Sequence, residues 1–116
     1  MAGALIALAM AICPPGPRDN CVVDGDTFWI NGEKVRIADI DAPELAGKCS
    51  DERDLALQSR NRLAQLLDEP FSLQRQGKDQ YGRTLAVVWV AGRSVGNQLV
   101  NEGLARAWIG RREPWC

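Results

Sequence analysis

The chain has 116 residues and a mass of 12.7 kDa, with 46% apolar and 25% charged side chains, a composition that suits one folded domain and excludes wholesale disorder. Lys and Arg number 14 against 15 Asp and Glu, a net charge of −1, which counts mildly against a bulk electrostatic nucleic-acid binder. Histidine is absent, which removes Ser-His-Asp and Cys-His nucleophile systems, HExxH zinc sites and every imidazole acid or base.

Residues 1–12, MAGALIALAMAI, form an apolar run too short to cross a membrane as a helix. Two readings stand for it. One is the apolar part of an export signal, with Ala7, Ala9 and Ala11 offering A-x-A-like cleavage points but no positive start. The other is a first strand of the domain. The proline-rich stretch 14–17 then separates this head (1–19) from a body (20–116), and no repeat or interdomain linker is visible. Val22 to Ile37 reads as strand, turn, strand: Asn31-Gly32 between two β-rich triplets is a tight hairpin signal, and Asp24-Gly25 marks an earlier turn or bulge. Ser50 to Leu67 reads as a helix capped by Ser50, with Asp51 and Glu52 at its positive end and a buried stripe of Leu55, Ala56, Leu63, Leu66 and Leu67. Pro70 closes it. Strands are predicted at Phe71–Leu73 and Arg83–Ala91, and a short helix from Ser94 to Glu102 ends at Gly103, which suits a left-handed cap. These elements predict a mainly β fold, a small barrel with attached helices.

Cys13, Cys21, Cys49 and Cys116 are spaced by 8, 28 and 67 residues and contain no CxxC pair, which argues against structural zinc. An even count in a small chain favours two disulfides and an exported protein, with three ways to pair them. The pairing expected here is Cys21–Cys49 with Cys13–Cys116. Four buried free thiols in a cytosolic protein are the alternative.

Three polar clusters carry candidate chemistry, and each alone reads as an ordinary turn or loop. They are Asp24-Gly25-Asp26-Thr27, Asp39-Ile40-Asp41-Ala42-Pro43-Glu44, and Asp79-Gln80-Tyr81-Gly82-Arg83. Together they are complementary. Asp26 and Asp41 offer hard oxygen ligands to Ca²⁺ or a similar cation, and Glu44 is placed to orient or deprotonate a nearby water. Arg36 and Arg83 can fork onto phosphate oxygens and stabilise charge developing in an in-line displacement. Charge is also divided along the chain: residues 1–59 hold 5 basic and 10 acidic side chains, residues 60–116 hold 9 and 5. That asymmetry suits one site holding both a cation and an anion, or else unrelated surface scatter.

The runs VVDGDTF, KVRIADIDAPE and DQYGRTLAVV, in this order and spacing, resemble the staphylococcal nuclease (thermonuclease) family, over roughly Cys21 to Trp108. The resemblance implies an OB-fold, a five-stranded Greek-key barrel with about two helices. It implies that Asp26, Asp41 and the backbone carbonyl of Ala42 bind Ca²⁺ and that Asp24 supports the metal indirectly. It implies that Arg36 and Arg83 clamp the scissile phosphate, that Glu44 acts on the attacking water, and that Tyr81 contacts a neighbouring phosphate. Hydrolysis of DNA and RNA with little sequence specificity, leaving 3′-phosphate ends, would follow. Several positions depart from the pattern. Ala42 replaces a threonine, Gln80 stands where a lysine grips phosphate, and a last helix is missing before Cys116, so a terminal disulfide is expected to serve as the clamp. Trp108 is the nearest candidate for a base-stacking aromatic, with packing at the core or rim as its other role. The expectation is an exported, monomeric Ca²⁺-dependent nuclease with nucleic acid as substrate, no stable protein partner and no membrane span. A catalytically silent OB-fold module that binds nucleic acid or protein is the runner-up, and an exported interaction domain holding a structural Ca²⁺ is the third reading.

Overall fold

The computed structural model describes residues 4–116; the first three residues of the apolar head lie outside the described residues. The elements in chain order are β1 (Ala11–Ile12), β2 (Cys21–Asp24), β3 (Thr27–Ile30), β4 (Glu33–Ile37), β5 (Ile40–Asp41), α1 (Ser50–Leu66), β6 (Ser72–Lys78), β7 (Thr84–Val90), β8 (Arg93–Ser94), α2 (Val95–Asn101) and β9 (Arg106–Ala107). The main sheet runs β1-β2-β3-β4-β7-β6, with β8 folded back on β7, and a separate ladder joins β5 to β9. Five strands, β2, β3, β4, β7 and β6, form its continuous wall, antiparallel except for the parallel β4–β7 pair. That order, with two helices, is the expected OB-fold.

Local chemistry explains the elements. Asn31 and Gly32 both adopt positive φ (49° and 77°), so the β3–β4 hairpin closes on the turn whose twist matches its strands. Along β7, Thr84, Ala86, Val88 and Val90 face inward and alternate with half-exposed residues, the period-2 pattern of a strand with one buried face. The core gathers Val22, Phe28, Ile30, Val35, Ile37, Leu73 and Val88 from the sheet with Leu63, Leu67, Val95 and Leu99 from the helices. Phe28 and Phe71 meet edge to face at 6.0 Å between ring centroids. The stripe of α1 differs in detail from the expected one: Ala56, Ser59, Leu63 and Leu67 are buried, while Leu55 and Leu66 are only half-buried.

Both helix starts are informative. Ser94 caps α2, its hydroxyl accepting from the Asn97 N–H at 3.1 Å and donating to Asp39 Oδ2 at 2.8 Å. The predicted end also stands: Gly103 takes φ 76° and Leu104 N–H bonds back to the Leu99 carbonyl. Ser50, in contrast, does not cap α1. Cys49 occupies the cap position without a side-chain bond, and Glu52 of the first turn instead ties down the preceding loop by accepting from Lys48 N–H and Glu44 N–H, both at 3.1 Å.

The disulfide pairing departs from expectation. The bonds are Cys13–Cys21 and Cys49–Cys116, not Cys21–Cys49 and Cys13–Cys116. The parallel β1–β2 pairing, extended by Cys13 N–H to the Val22 carbonyl, sets Cys13 beside Cys21 with 4.8 Å between their Cα atoms. Cys116 meets Cys49 at the start of α1, with 6.0 Å between Cα atoms. Both separations lie in the range a disulfide spans without strain, which proximity along the sequence could not reveal.

Residues 4–12 lie against the barrel. Ile6 exchanges two backbone hydrogen bonds with Phe71 just before β6, and β1 pairs with β2, so this segment links the two sides of the sheet that the five main strands leave apart. Ile6, Leu8 and Ile12 pack against the core and Met10 is 4% exposed. Among the described residues no helix is long and apolar enough to cross a membrane.

Candidate functional site

The candidate residues come from turns between elements and from strand positions close to them, as with Arg36 on β4 and Asp41 on β5. The Asp24–Thr27 turn leaves β2 through a register shift, and Asp26 N–H bonds to Asp24 Oδ1 at 3.3 Å. Gly25 is required there for space: a Cβ on it would lie 1.9 Å from Ser59 Oγ of α1 and 2.9 Å from the Ala42 Cβ. The turn is thus pressed against both α1 and the Asp41–Glu44 loop. Asp26, itself 6% exposed, receives Thr27 Oγ1–H on Oδ1 at 3.0 Å and Ala42 N–H on Oδ2 at 3.1 Å.

Asp41 lies on β5 opposite Arg106 of β9 and is 3% exposed. Neither of its carboxylate oxygens accepts a hydrogen bond among the described residues, although Arg112 Nη1 stands 3.2 Å from Oδ1 as an ion pair. Burial pushes the Asp41 carboxyl up, against the pull of Arg112. Burial, reinforced by the charge of Asp26, raises Asp24 to about 7. Four carboxyl groups, of Asp24, Asp26, Asp41 and Glu44, thus share the corner with the guanidiniums of Arg36 and Arg112, an excess of acids that a bound cation relieves. Buried acidic oxygens without donors, beside the Ala42 carbonyl, fit a hard divalent ion.

Opposite the acids stand the arginines. Arg36 of β4 donates Nη1–H to the carbonyls of Ile37 and of Ile40, the latter at 2.9 Å. Its Nη2 approaches Asp26 Oδ2 at 3.6 Å, and its guanidinium lies 5.7 Å from the Trp108 ring. Arg83 is shaped by the Asp79 turn. Asp79 Oδ1 accepts from Tyr81 N–H and Arg83 N–H, both at 2.9 Å, while Oδ2 accepts Arg83 Nε–H at 2.7 Å. Burial raises the Asp79 carboxyl, but the hydrogen bonds from Arg83 and Tyr81 outweigh it and hold it below the usual range. Arg83 keeps Nη1 and Nη2 without a hydrogen bond among the described residues. The exposed Tyr81 ring lies under its guanidinium at 5.5 Å.

A cleft of about 940 Å³ joins these groups: Asp24, Asp26, Ala42, Glu44, Arg36, Arg83, Tyr81, Trp108 and Arg112 all line it. Asp41 is the one sequence-predicted site residue that does not. The acidic N-terminal half and the basic C-terminal half of the chain thus meet at one site.

Two residues of the site escaped the sequence reading. Glu52 anchors the loop that carries Glu44. Arg112 places Nη1 within 3.3 Å of Glu44 Oε1 as well as on Asp41, and directs Nη2–H to the Ala42 carbonyl at 3.4 Å. Glu52 was visible only as an acid in a first helical turn. Arg112 left no signal beyond its nearness to Cys116.

Residues 34–114 match the model of the family described as staphylococcal nuclease homologue. The Asp24–Thr27 turn precedes the matched stretch. Among similar proteins, a thermonuclease of Staphylococcus intermedius is 34% identical over 93 residues, covering 74% of this chain and 55% of that protein. A micrococcal nuclease of Shigella flexneri is 36% identical over 101 residues, covering 75% and 55%. A succinoglycan biosynthesis protein, ExoI, of Rhizobium meliloti (strain 1021) is 36% identical over 91 residues, covering 72% and 48%. The chain spans about half the length of the curated relatives it matches. With most of its length matched by the family model, the chain belongs to the staphylococcal nuclease homologue family.

Proposed function

We propose that this chain is a Ca²⁺-dependent phosphodiesterase that hydrolyses DNA and RNA with little sequence specificity, leaving 3′-phosphate ends. The observation that carries the reading is a histidine-free cleft lined by Asp24, Asp26 and Glu44 together with Arg36 and Arg83, the last bonded to Asp79 through Nε alone. Relatives named thermonuclease and micrococcal nuclease support the reaction class.

Asp26, Asp41 and the Ala42 carbonyl would hold the ion, with Asp24 behind them. When bound, Ca²⁺ polarises a phosphate oxygen and strengthens a nearby water as nucleophile. Arg83 and Arg36 donate to the non-bridging phosphate oxygens, where charge builds up in the transition state. Glu44, 58% exposed at its side chain, takes the proton of the attacking water. The water oxygen joins phosphorus as its proton passes to Glu44, the bond to the 5′ oxygen breaks, and that oxygen takes a proton from bulk water while Arg83 donates a hydrogen bond to it. Tyr81 meets the next phosphate, and Trp108, 41% exposed, offers its face to a base. Two disulfides suit an oxidising compartment, which supports export. We take the chain to act as a monomer.

The test is cleavage of labelled single-stranded DNA with Ca²⁺ and with a chelator, beside Glu44→Gln. Calcium-dependent cutting that falls by about 10²-fold or more in the variant is expected, the scale of a lost acid–base group. Near-normal turnover removes Glu44 from the mechanism. The pairing of Arg112 with Asp41 and Glu44 favours the second reading, a silent binding module whose acids are already neutralised. That reading requires DNA binding without cutting at every calcium concentration.

A further inference from the structure

Arg112 does not hold itself as a phosphate ligand would. Arg83 keeps its fork open toward the cleft, whereas Arg112 spends Nη1 on Asp41 at 3.2 Å and Glu44 at 3.3 Å, and Nη2 on the Ala42 carbonyl at 3.4 Å. Those partners include two of the three oxygen donors that the preceding section assigns to the ion. Arg112 lines the cleft, and Asp41, its partner, does not.

The segment that carries Arg112 is tied down on both sides. Upstream, Trp108 N–H bonds to the Asp39 carbonyl at 3.0 Å, and beyond Arg112 the Arg106 side chain donates to the Pro114 carbonyl at 2.9 Å and lies 3.8 Å from the Trp115 ring. Downstream, Cys116 is bonded to Cys49 at the start of α1. The Arg112 side chain itself is 45% exposed, so its way out to water is open. With Nη1 at 3.2 Å from Asp41 Oδ1 and Nη2 at 3.4 Å from the Ala42 oxygen, the guanidinium would lie against a divalent ion bound to those atoms, and two positive groups that close repel.

We propose that Arg112 and the cation exclude one another at Asp41 and Ala42, the disulfide-anchored C-terminal arm holding an internal counter-charge that must swing off before the ion enters. The proposal rests on the reading of Asp26, Asp41 and the Ala42 carbonyl as a cation site. The apparent affinity for calcium is then lowered by the fraction of molecules in which Arg112 is seated.

Calorimetric titration of Ca²⁺ into the full chain, without nucleic acid, tests this in the wild type and in Arg112→Gln. The variant is expected to bind roughly tenfold more tightly, as it would if Arg112 is seated in about nine molecules of ten. Calcium is also expected to quicken amide hydrogen exchange across residues 108–116 of the wild type, a change that simple charge removal does not require. Replacing the tether with the Cys49→Ser/Cys116→Ser pair is expected to raise affinity in the wild-type background and add nothing to Arg112→Gln. Equal or weaker binding by Arg112→Gln, or slower exchange in the arm with calcium, overturns the proposal. A full additional gain from the serine pair in Arg112→Gln overturns the tether. Calcium binding by neither protein overturns the cation site itself, a result distinct from equal binding by both.

Discussion

The two arginines that face the acids are held in different ways, and their substitutions should separate. Arg36 is 12% exposed at its side chain and satisfies two main-chain carbonyls at the β4–β5 corner. Arg36→Ala is expected to lower both turnover and stability, the latter by about 1–3 kcal/mol for carbonyls left without a donor. Arg83→Ala frees only the carboxylate of Asp79, which is near solvent. Its expected effect is a loss of about 10²–10³ in kcat with little change in Tm, the scale of one lost transition-state donor. Melting curves and single-turnover rates on the same preparations check both. An Arg36→Ala protein that melts like the wild type would show that its carbonyl bonds carry no structural weight. The sequence disclosed these two residues because they sit inside contiguous motifs. It could not disclose Arg112, whose acceptor Ala42 is 70 residues away and is reached only because the arm folds back.

At the scale of elements, the Asp24–Thr27 turn, α1 and the Asp41–Glu44 loop interlock through a glycine. Gly25→Ala puts a methyl group where Ser59 Oγ already is, and overpacking of this kind costs roughly 1–3 kcal/mol. The expected result is a lower Tm together with weaker calcium binding, because the clash pushes Asp26 away from Ala42. A variant with unaltered Tm and calcium affinity would mean that the turn relaxes without cost. The long elements were legible from periodicity and turn residues, as at Asn31-Gly32 and Gly103. Strands β5, β8 and β9 have two residues each, too few to hold a period, and were not; β1, equally short, fell at the end of the apolar run for which a first strand was one of two readings. The cap of α1 misled for a different reason: Cys49 takes that position as part of a disulfide and makes no side-chain capping bond.

For the molecule as a whole, net charge says little and its arrangement says more. Away from the cleft, Glu33 binds Arg75 through two hydrogen bonds of 3.1 and 2.7 Å and accepts Thr84 Oγ1–H at 2.7 Å, tying the β3–β4 hairpin to β6 and β7. The Arg75 hydrogen bonds, against a smaller burial effect and with further help from Thr84, lower the Glu33 carboxyl from 4.5 to about 2. A depressed carboxyl pKa adds stability that is fully present above 4.5 and is lost as pH falls toward 2. Glu33→Gln is therefore expected to be less stable than the wild type near neutrality, with the gap closing by about pH 2. Urea melts at both ends of that window measure it, and a gap that persists in acid would assign the effect to packing. The fold class was legible because strand signals and motif order survive any ambiguity at boundaries. The pairing of cysteines was not, because it depends on where the two ends of the chain come to rest.

The Cys49–Cys116 bond closes a covalent ring of the chain, and the ring divides the site. Arg83 and Arg112 lie inside it, while Asp24, Asp26, Arg36, Asp41 and Glu44 lie on the stretch that precedes it. In the chain-entropy view, closing a loop of 67 residues disfavours the unfolded state by about 4 kcal/mol. The exposed Gln80–Gly82 turn is within this ring. A single backbone nick there opens the circle but releases no fragment, so Arg83 stays leashed to the acidic corner even after proteolytic wear.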